Sequence, residues 1–196
     1  FYAVPSFYNA MMADDGFSAA IAAGLYSSLE VCVSAGDALP APLCDRWMKA
    51  TGVPVLDGIG STELLHIFIA NRPNDIRPGS SGRPILGYGA RVVDEDGNDV
   101  SPEVVGDLWV CGDSACIGYW NRHEATKQAL RGKWFVTGDK YRVDSEGYYW
   151  YAGRADDMFK VHGQWVSPSQ VESVLLEHEG VHEVAVVAAT DDRGLS

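Results

Sequence analysis

Two apolar segments, each running straight into a loop of small residues, constrain this chain more than any other feature. Glu30-Val31-Cys32-Val33-Ser34 leads into Ala35-Gly36-Asp37-Ala38-Leu39-Pro40. Val53-Pro54-Val55-Leu56 leads into Asp57-Gly58-Ile59-Gly60-Ser61-Thr62-Glu63. Between them Pro42 to Lys49 reads as a helix. Strand, loop, helix and strand make a parallel α/β unit, and both loops then lie at carboxyl ends of strands, where open α/β sheets bind ligands. Glycines let backbone N–H groups approach an anion, Ser61 and Thr62 hydroxyls can donate to phosphate, and Glu63 can hold Mg²⁺. Each loop alone reads equally as a plain turn. Two after successive strands point to a nucleotide or phosphate site.

The flanking chain extends this pattern. Phe1 to Val4 reads as a buried strand, and Pro5 opens a helix to about Met12 with Phe7, Tyr8, Met11 and Met12 as its apolar stripe. Phe17 to Leu25 reads as a second short helix. From Arg77 the texture changes to short strands with Asp-Gly and Glu-Gly turns: Ala90 to Val93, Leu108 to Cys111, Trp134 to Thr137, Lys140 to Val143 and Tyr148 to Ala152. A short helix from His123 to Leu130 interrupts them, and the whole predicts a small antiparallel sheet or barrel. Gly153 to Gly163 is a charged segment bounded by glycines. Beyond it, Ser167-Pro168-Ser169-Gln170 starts a helix with Val171, Val174, Leu175 and His178 on one face, and His182 to Ala189 reads as a strand. The division expected is residues 1–76 as an α/β part, 77–152 as an antiparallel β part, 153–163 as a hinge and 164–196 as the start of a small α+β domain.

Charge and cysteines narrow the function classes. The net charge of −12 argues against nucleic acid or anionic membrane as partner, because phosphate backbones need clustered Lys and Arg. Cys32, Cys44, Cys111 and Cys116 form no metal-binding pair, which predicts reduced thiols in a cytoplasmic protein. The longest apolar run, Phe17 to Leu25, is too short to span a bilayer. The apolar opening and the end soon after an apolar strand suggest a piece of a longer protein.

Four stretches, in order, resemble the adenylate-forming acyl- and aryl-CoA synthetases, most of all the ligases of benzoate and hydroxybenzoate. They are Ser34 to Pro40, Asp57 to Ile67, Phe135-Val136-Thr137-Gly138-Asp139, and Gly153 to Lys160. The resemblance implies that an aromatic carboxylate reacts with MgATP to an acyl adenylate, which then passes to CoA as a thioester. ATP, Mg²⁺ and CoA are the expected small molecules, and the full-length enzyme is expected as a homodimer. Gly36, Asp37 and Ala38 would line the adenine site, and Asp57, Gly58 and Ile59 would lie against the base. Gly60 and Ser61 complete that loop. Thr62 would touch phosphate and Glu63 would hold Mg²⁺. Asp139 would accept from the ribose hydroxyls, and Arg154 would bind ribose or phosphate. Ala35, Gly60, His66 and Ile67 would wall the aryl pocket. Asp156, assisted by Asp157, would be the hinge, Lys160 would serve the second half-reaction, and His162 and Gly163 would flank the CoA tunnel.

Three positions depart from the usual pattern: Asp37 stands where most relatives carry Glu, Ile59 where many carry an aromatic residue, and His162 where Ser is usual. A phosphate loop upstream and an adenylating lysine downstream belong to the family pattern and are not in these 196 residues, so the segment alone is expected to be inactive. Rival readings are a fatty-acyl-CoA synthetase, an adenylation domain that loads a carrier protein, and a non-catalytic nucleotide-binding module.

Overall fold

A computed structural model of the chain describes residues 1–161, 164–175, 178, 180, 181 and 184–189. The first elements are β1 (Tyr2–Ala3), α1 (Pro5–Ala13), α2 (Asp15–Ala22), β2 (Cys32–Ser34), α3 (Ala41–Thr51) and β3 (Val55–Gly60). Pro5 stands in the first turn of α1, where its missing N–H has no helical partner to lose. Asp14 caps α2, accepting from the Gly16 N–H at 2.8 Å. α3 ends at Gly52, whose φ of +71° makes the left-handed cap. Strands β1, β2 and β3 run parallel, as the strand–loop–helix pattern predicts.

Three expectations change here. β1 is not buried: it is the sheet edge, and Phe1, Tyr2 and Val4 are exposed. In the α1 stripe Tyr8 is fully buried, Met11 and Met12 are partly buried, and Phe7 faces solvent. β3 does not stop at Leu56 but runs on through Asp57–Gly60, because β4 (Ile67–Ala70) returns antiparallel beside it after a tight turn at Thr62–Leu64. Gly58 and Gly60 allow that approach. A Cβ on Gly58 would sit 2.8 Å from the Ile69 carbonyl oxygen, and one on Gly60 would sit 2.5 Å from that of His66. β5 (Arg83–Pro84) pairs with β4, so the sheet has the order β1-β2-β3-β4-β5 and reaches past residue 77.

The second layer is antiparallel: β6 (Tyr88–Val93), β7 (Gly106–Gly112), α4 (His123–Ala129), β8 (Leu130–Arg131), β9 (Trp134–Val143) and β10 (Tyr149–Arg154). The order is β10-β9-β7-β6, with β8 on β9. β9 is one strand where the sequence suggests two; Gly138, at φ +77°, takes up the irregularity. Trp47, Tyr8 and Phe17 centre one core, and Leu64, Phe68, Leu108 and Tyr141 the other. Trp47 meets Tyr8 edge to face at 4.8 Å, and truncating it to Ala would cost ~3–5 kcal/mol. Asn71 ties the regions together. Its buried amide donates to the Ser80 carbonyl at 2.7 Å and its side-chain oxygen accepts from the Arg77 N–H at 2.8 Å.

The last elements are the hairpin β11 (Phe159–Val161) and β12 (Gln164–Val166), then α5 (Pro168–Leu175). Pro168 opens α5 as expected, and Val171, Val174 and Leu175 on it are exposed. His178 is exposed too, and its Nδ1 accepts from the Gly180 N–H at 3.0 Å. The strand expected over His182 to Ala189 is not formed in its described part, residues 184–189. No strand among the described residues pairs with it; Val186 N–H donates instead to Glu172 Oε1 at 2.8 Å. His182 lies outside the described residues.

Candidate nucleotide site

A cleft of about 910 Å³ opens at the carboxyl ends of β2 and β3, between the two sheets. From the first sheet come Gly36, Asp37 and Ala38 after β2, and Asp57 to Ser61 along and after β3. From the second come Thr137, Gly138 and Asp139 on β9, Tyr151 and Arg154 on β10, and Tyr119 and Arg122 ahead of α4. Glu63, on the tight turn, sits between the two groups.

Asp139 and Arg154 face each other across the β9–β10 ladder. Arg154 Nη1 donates to Asp139 Oδ1 at 2.9 Å and to the Thr137 carbonyl at 3.1 Å. Gly138 makes room, since a Cβ there would press on Arg154 Nη2 at 2.9 Å. Burial pushes the Asp139 carboxyl up, and the Arg154 guanidinium only partly opposes this.

Asp57 is buried, and its Oδ1 has no hydrogen-bond partner among the described residues. Burial pushes its carboxyl up to about 8, against the opposing pull of the Leu39 and Gly58 backbone N–H groups.

Glu63 behaves oppositely. Partial burial raises its carboxyl, but the Tyr119 hydroxyl, its own backbone N–H and the Arg154 charge outweigh this and hold it below the usual carboxylate range. It stays an anion. Among the described residues no group of three or more His, Cys, Asp and Glu could hold a metal. One ionised carboxylate at the cleft fits Mg²⁺, which keeps several waters and takes phosphate oxygens for the rest of its shell.

The structure brings Gly36, Asp37, Ala38, Asp57, Gly58, Ile59, Gly60, Ser61, Glu63, Asp139, Arg154 and Asp156 onto this one cleft. Thr62 stands between Ser61 and Glu63 in the tight turn. Ala35, His66 and Ile67 are not on the cleft lining; His66 is exposed and Ile67 packs beside Gly58. Asp156 and Asp157 are exposed in a turn closed by the Asp157 and Met158 N–H groups, which donate to the Arg154 carbonyl at 3.2 and 3.1 Å. Lys160 lies in β11 opposite Trp165. His162 and Gly163 lie outside the described residues. Sequence reasoning missed Tyr119, Tyr151 and Arg122. Nothing in the local pattern sets Tyr119 apart from Trp120, which is exposed.

Residues 1–120 match the AMP-binding enzyme family. The chain belongs to that family. This AMP-binding enzyme segment is 47% identical over 98% of its length to the benzoate–CoA ligase of Thauera aromatica, covering 36% of that protein. It is 43% identical over 99% of its length to the 4-hydroxybenzoate–CoA/benzoate–CoA ligase of Rhodopseudomonas palustris, covering 35% of it. The solved anthranilate CoA ligase AuaEII, in complex with anthranoyl-AMP, superposes with a TM-score of 0.88 at 50% identity. That match covers 95% of this chain and 35% of the ligase. The segment thus spans about a third of the length of the curated relatives it matches.

Proposed function

We propose that the complete protein carrying this segment is an AMP-forming ligase of an aromatic acid. A carboxylate oxygen attacks the α-phosphorus of ATP, forming the acyl–phosphate bond and expelling pyrophosphate. The thiolate of CoA then attacks the acyl carbon, forming the thioester and expelling AMP. The observation that carries this reading is the convergence of four sequence stretches on one cleft. The names of its relatives supply the substrate class: benzoate, hydroxybenzoate and anthranilate.

In this reading adenine lies between Gly36–Ala38 and Asp57–Ile59, and Asp139 with Arg154 holds the ribose. Thr62 meets phosphate, and Glu63 holds Mg²⁺. When bound, the cation neutralises phosphate charge. The chain's own part is positioning and fixed charge, the terms that dominate phosphoryl and adenylyl chemistry. At Gly60 a Cβ would sit 2.5 Å from the His66 carbonyl oxygen, so the missing side chain admits the His66–Ile67 backbone and not the ring; the aryl pocket of Ala35, Gly60, His66 and Ile67 rests on the family resemblance. Asp156 and Asp157 act as the hinge between half-reactions, and Lys160, His162 and Gly163 serve the CoA step. The net charge of −12 supports partners that are small molecules and not nucleic acid or anionic membrane.

Pyrophosphate exchange by the complete protein with benzoate, hydroxybenzoates and a long aliphatic acid tests the reading. Exchange with the aromatic acids, followed by thioester formation on adding CoA, is expected. Preference for the aliphatic acid would reject the aryl assignment, and exchange that never yields a CoA thioester would reject the ligase assignment.

A further inference from the structure

Tyr119 touches a residue from the opposite side of the cleft. Its hydroxyl donates to Glu63 Oε1 at 2.8 Å, joining positions 56 residues apart. This is not a loose surface contact, because the segment carrying Tyr119 is anchored on both sides. Behind it, the Cys116 N–H donates to the Glu63 carbonyl at 2.7 Å, so the same segment holds Glu63 by backbone as well. Ahead of it, the Tyr119 N–H donates to Thr126 Oγ1 at 2.9 Å, and that hydroxyl donates to the Arg122 carbonyl at 2.9 Å. Gly118 allows this close lie against α4: it takes φ +148°, and a Cβ there would stand 2.6 Å from Thr126 Cγ2. Neighbouring Ile117 and Trp120 are 98% and 90% exposed; Tyr119 is 37% exposed and lines the cleft.

We propose that Tyr119 is a positioning residue for Glu63: by holding Oε1 from the loop between β7 and α4, it presents the carboxylate to the cation of MgATP in one orientation. This rests on the reading that Glu63 takes Mg²⁺. A long, flexible glutamate on a tight turn samples several rotamers, and a fixed donor on one oxygen selects among them. Groups that orient metal ligands in this way commonly control affinity for the metal.

Calorimetric titration of ATP into the complete protein at graded Mg²⁺ concentrations reads the effect directly. Wild type, Tyr119→Phe, Glu63→Gln and the double variant are compared. Tyr119→Phe keeps the ring and removes only the hydroxyl. The Mg²⁺ concentration that half-saturates ATP binding should rise on the order of tenfold in Tyr119→Phe. In the Glu63→Gln background the second change should add nothing. Thr126→Val, which releases the Tyr119 N–H, should shift the titration in the same direction by a smaller factor. A changed Mg²⁺ dependence in Glu63→Gln with none in Tyr119→Phe overturns the positioning role alone. No change in either overturns the assignment of Glu63. A full Tyr119→Phe effect on top of Glu63→Gln also overturns the proposal, because the hydroxyl would then act without the carboxylate.

Discussion

The first sheet meets the cleft with close-packed glycine backbone beside Asp37 and Asp57, and the second meets it with the Asp139–Arg154 ion pair. Gly36, Gly58 and Gly60 bring no side chain, and Gly58 and Gly60 cannot carry one while β4 lies against them. On the other side Asp139, Arg154 and Tyr119 reach in with ionised or hydrogen-bonding tips. The two halves should therefore fail differently. Changes on the first side crowd strands and cost stability. Changes on the second cost affinity, and at Arg154 they also leave the buried Asp139 carboxyl without its charge partner.

The seam between the halves should give the largest effect. The Tyr149 N–H donates to the Gly82 carbonyl at 2.8 Å, and the Ser81 N–H donates to the Tyr149 carbonyl at 2.9 Å. Gly82 takes φ +92°, and a Cβ there would lie 2.1 Å from the Ala70 carbonyl carbon. Gly82→Ala should lose ~3 kcal/mol or more in a denaturant melt, if it folds at all. A midpoint equal to wild type would mean the sheets are not locked at this point.

Asp57 tests the buried side of the comparison. Its carboxyl is raised from 3.8 to about 8 in the folded protein. Between those values the folded state binds more protons than the unfolded state, so stability falls as pH rises, by at most ~1.4 kcal/mol per pH unit. Asp57→Asn should flatten this slope and gain relative to wild type from about pH 4 to 8. Parallel melts across that range would contradict the burial account.

The smallest of these effects belongs to the turn that leaves β10. Asp156→Pro fixes one φ there. In the complete protein it should slow thioester formation on the order of tenfold more than adenylation, measured as separate half-reactions. Equal slowing of both would make the turn structural and not a pivot.

Much of the molecule was legible because local pattern and final packing agree. Pro5 and Pro168 open helices where they stand, and the parallel β2–β3 pair follows from its two loops. The misread strand limits share one cause. Gly58, Gly60 and Gly138 signal a loop locally, yet each lies inside a strand whose long-range partner needs the space or the unusual φ. Phe7 fails similarly, since helical spacing cannot say how far the neighbouring core reaches. Of the site, the residues in contiguous motifs were found. Tyr119, Tyr151 and Arg122 were not, because what marks them is proximity in space to Glu63 and the β9–β10 pair.

The central proposal is that the two sheets together hold one aryl adenylate, the first with glycine backbone and Asp57, the second with Asp139 and Arg154. Calorimetry of the complete protein with a nonhydrolysable benzoyl-adenylate analogue tests it most directly, wild type against Arg154→Ala. Removing a hydrogen bond between charged groups and ligand is worth ~1.5–3 kcal/mol, so saturable one-to-one binding should weaken by roughly ten- to a hundredfold. Absence of binding in wild type, or equal affinity in both proteins, would contradict it.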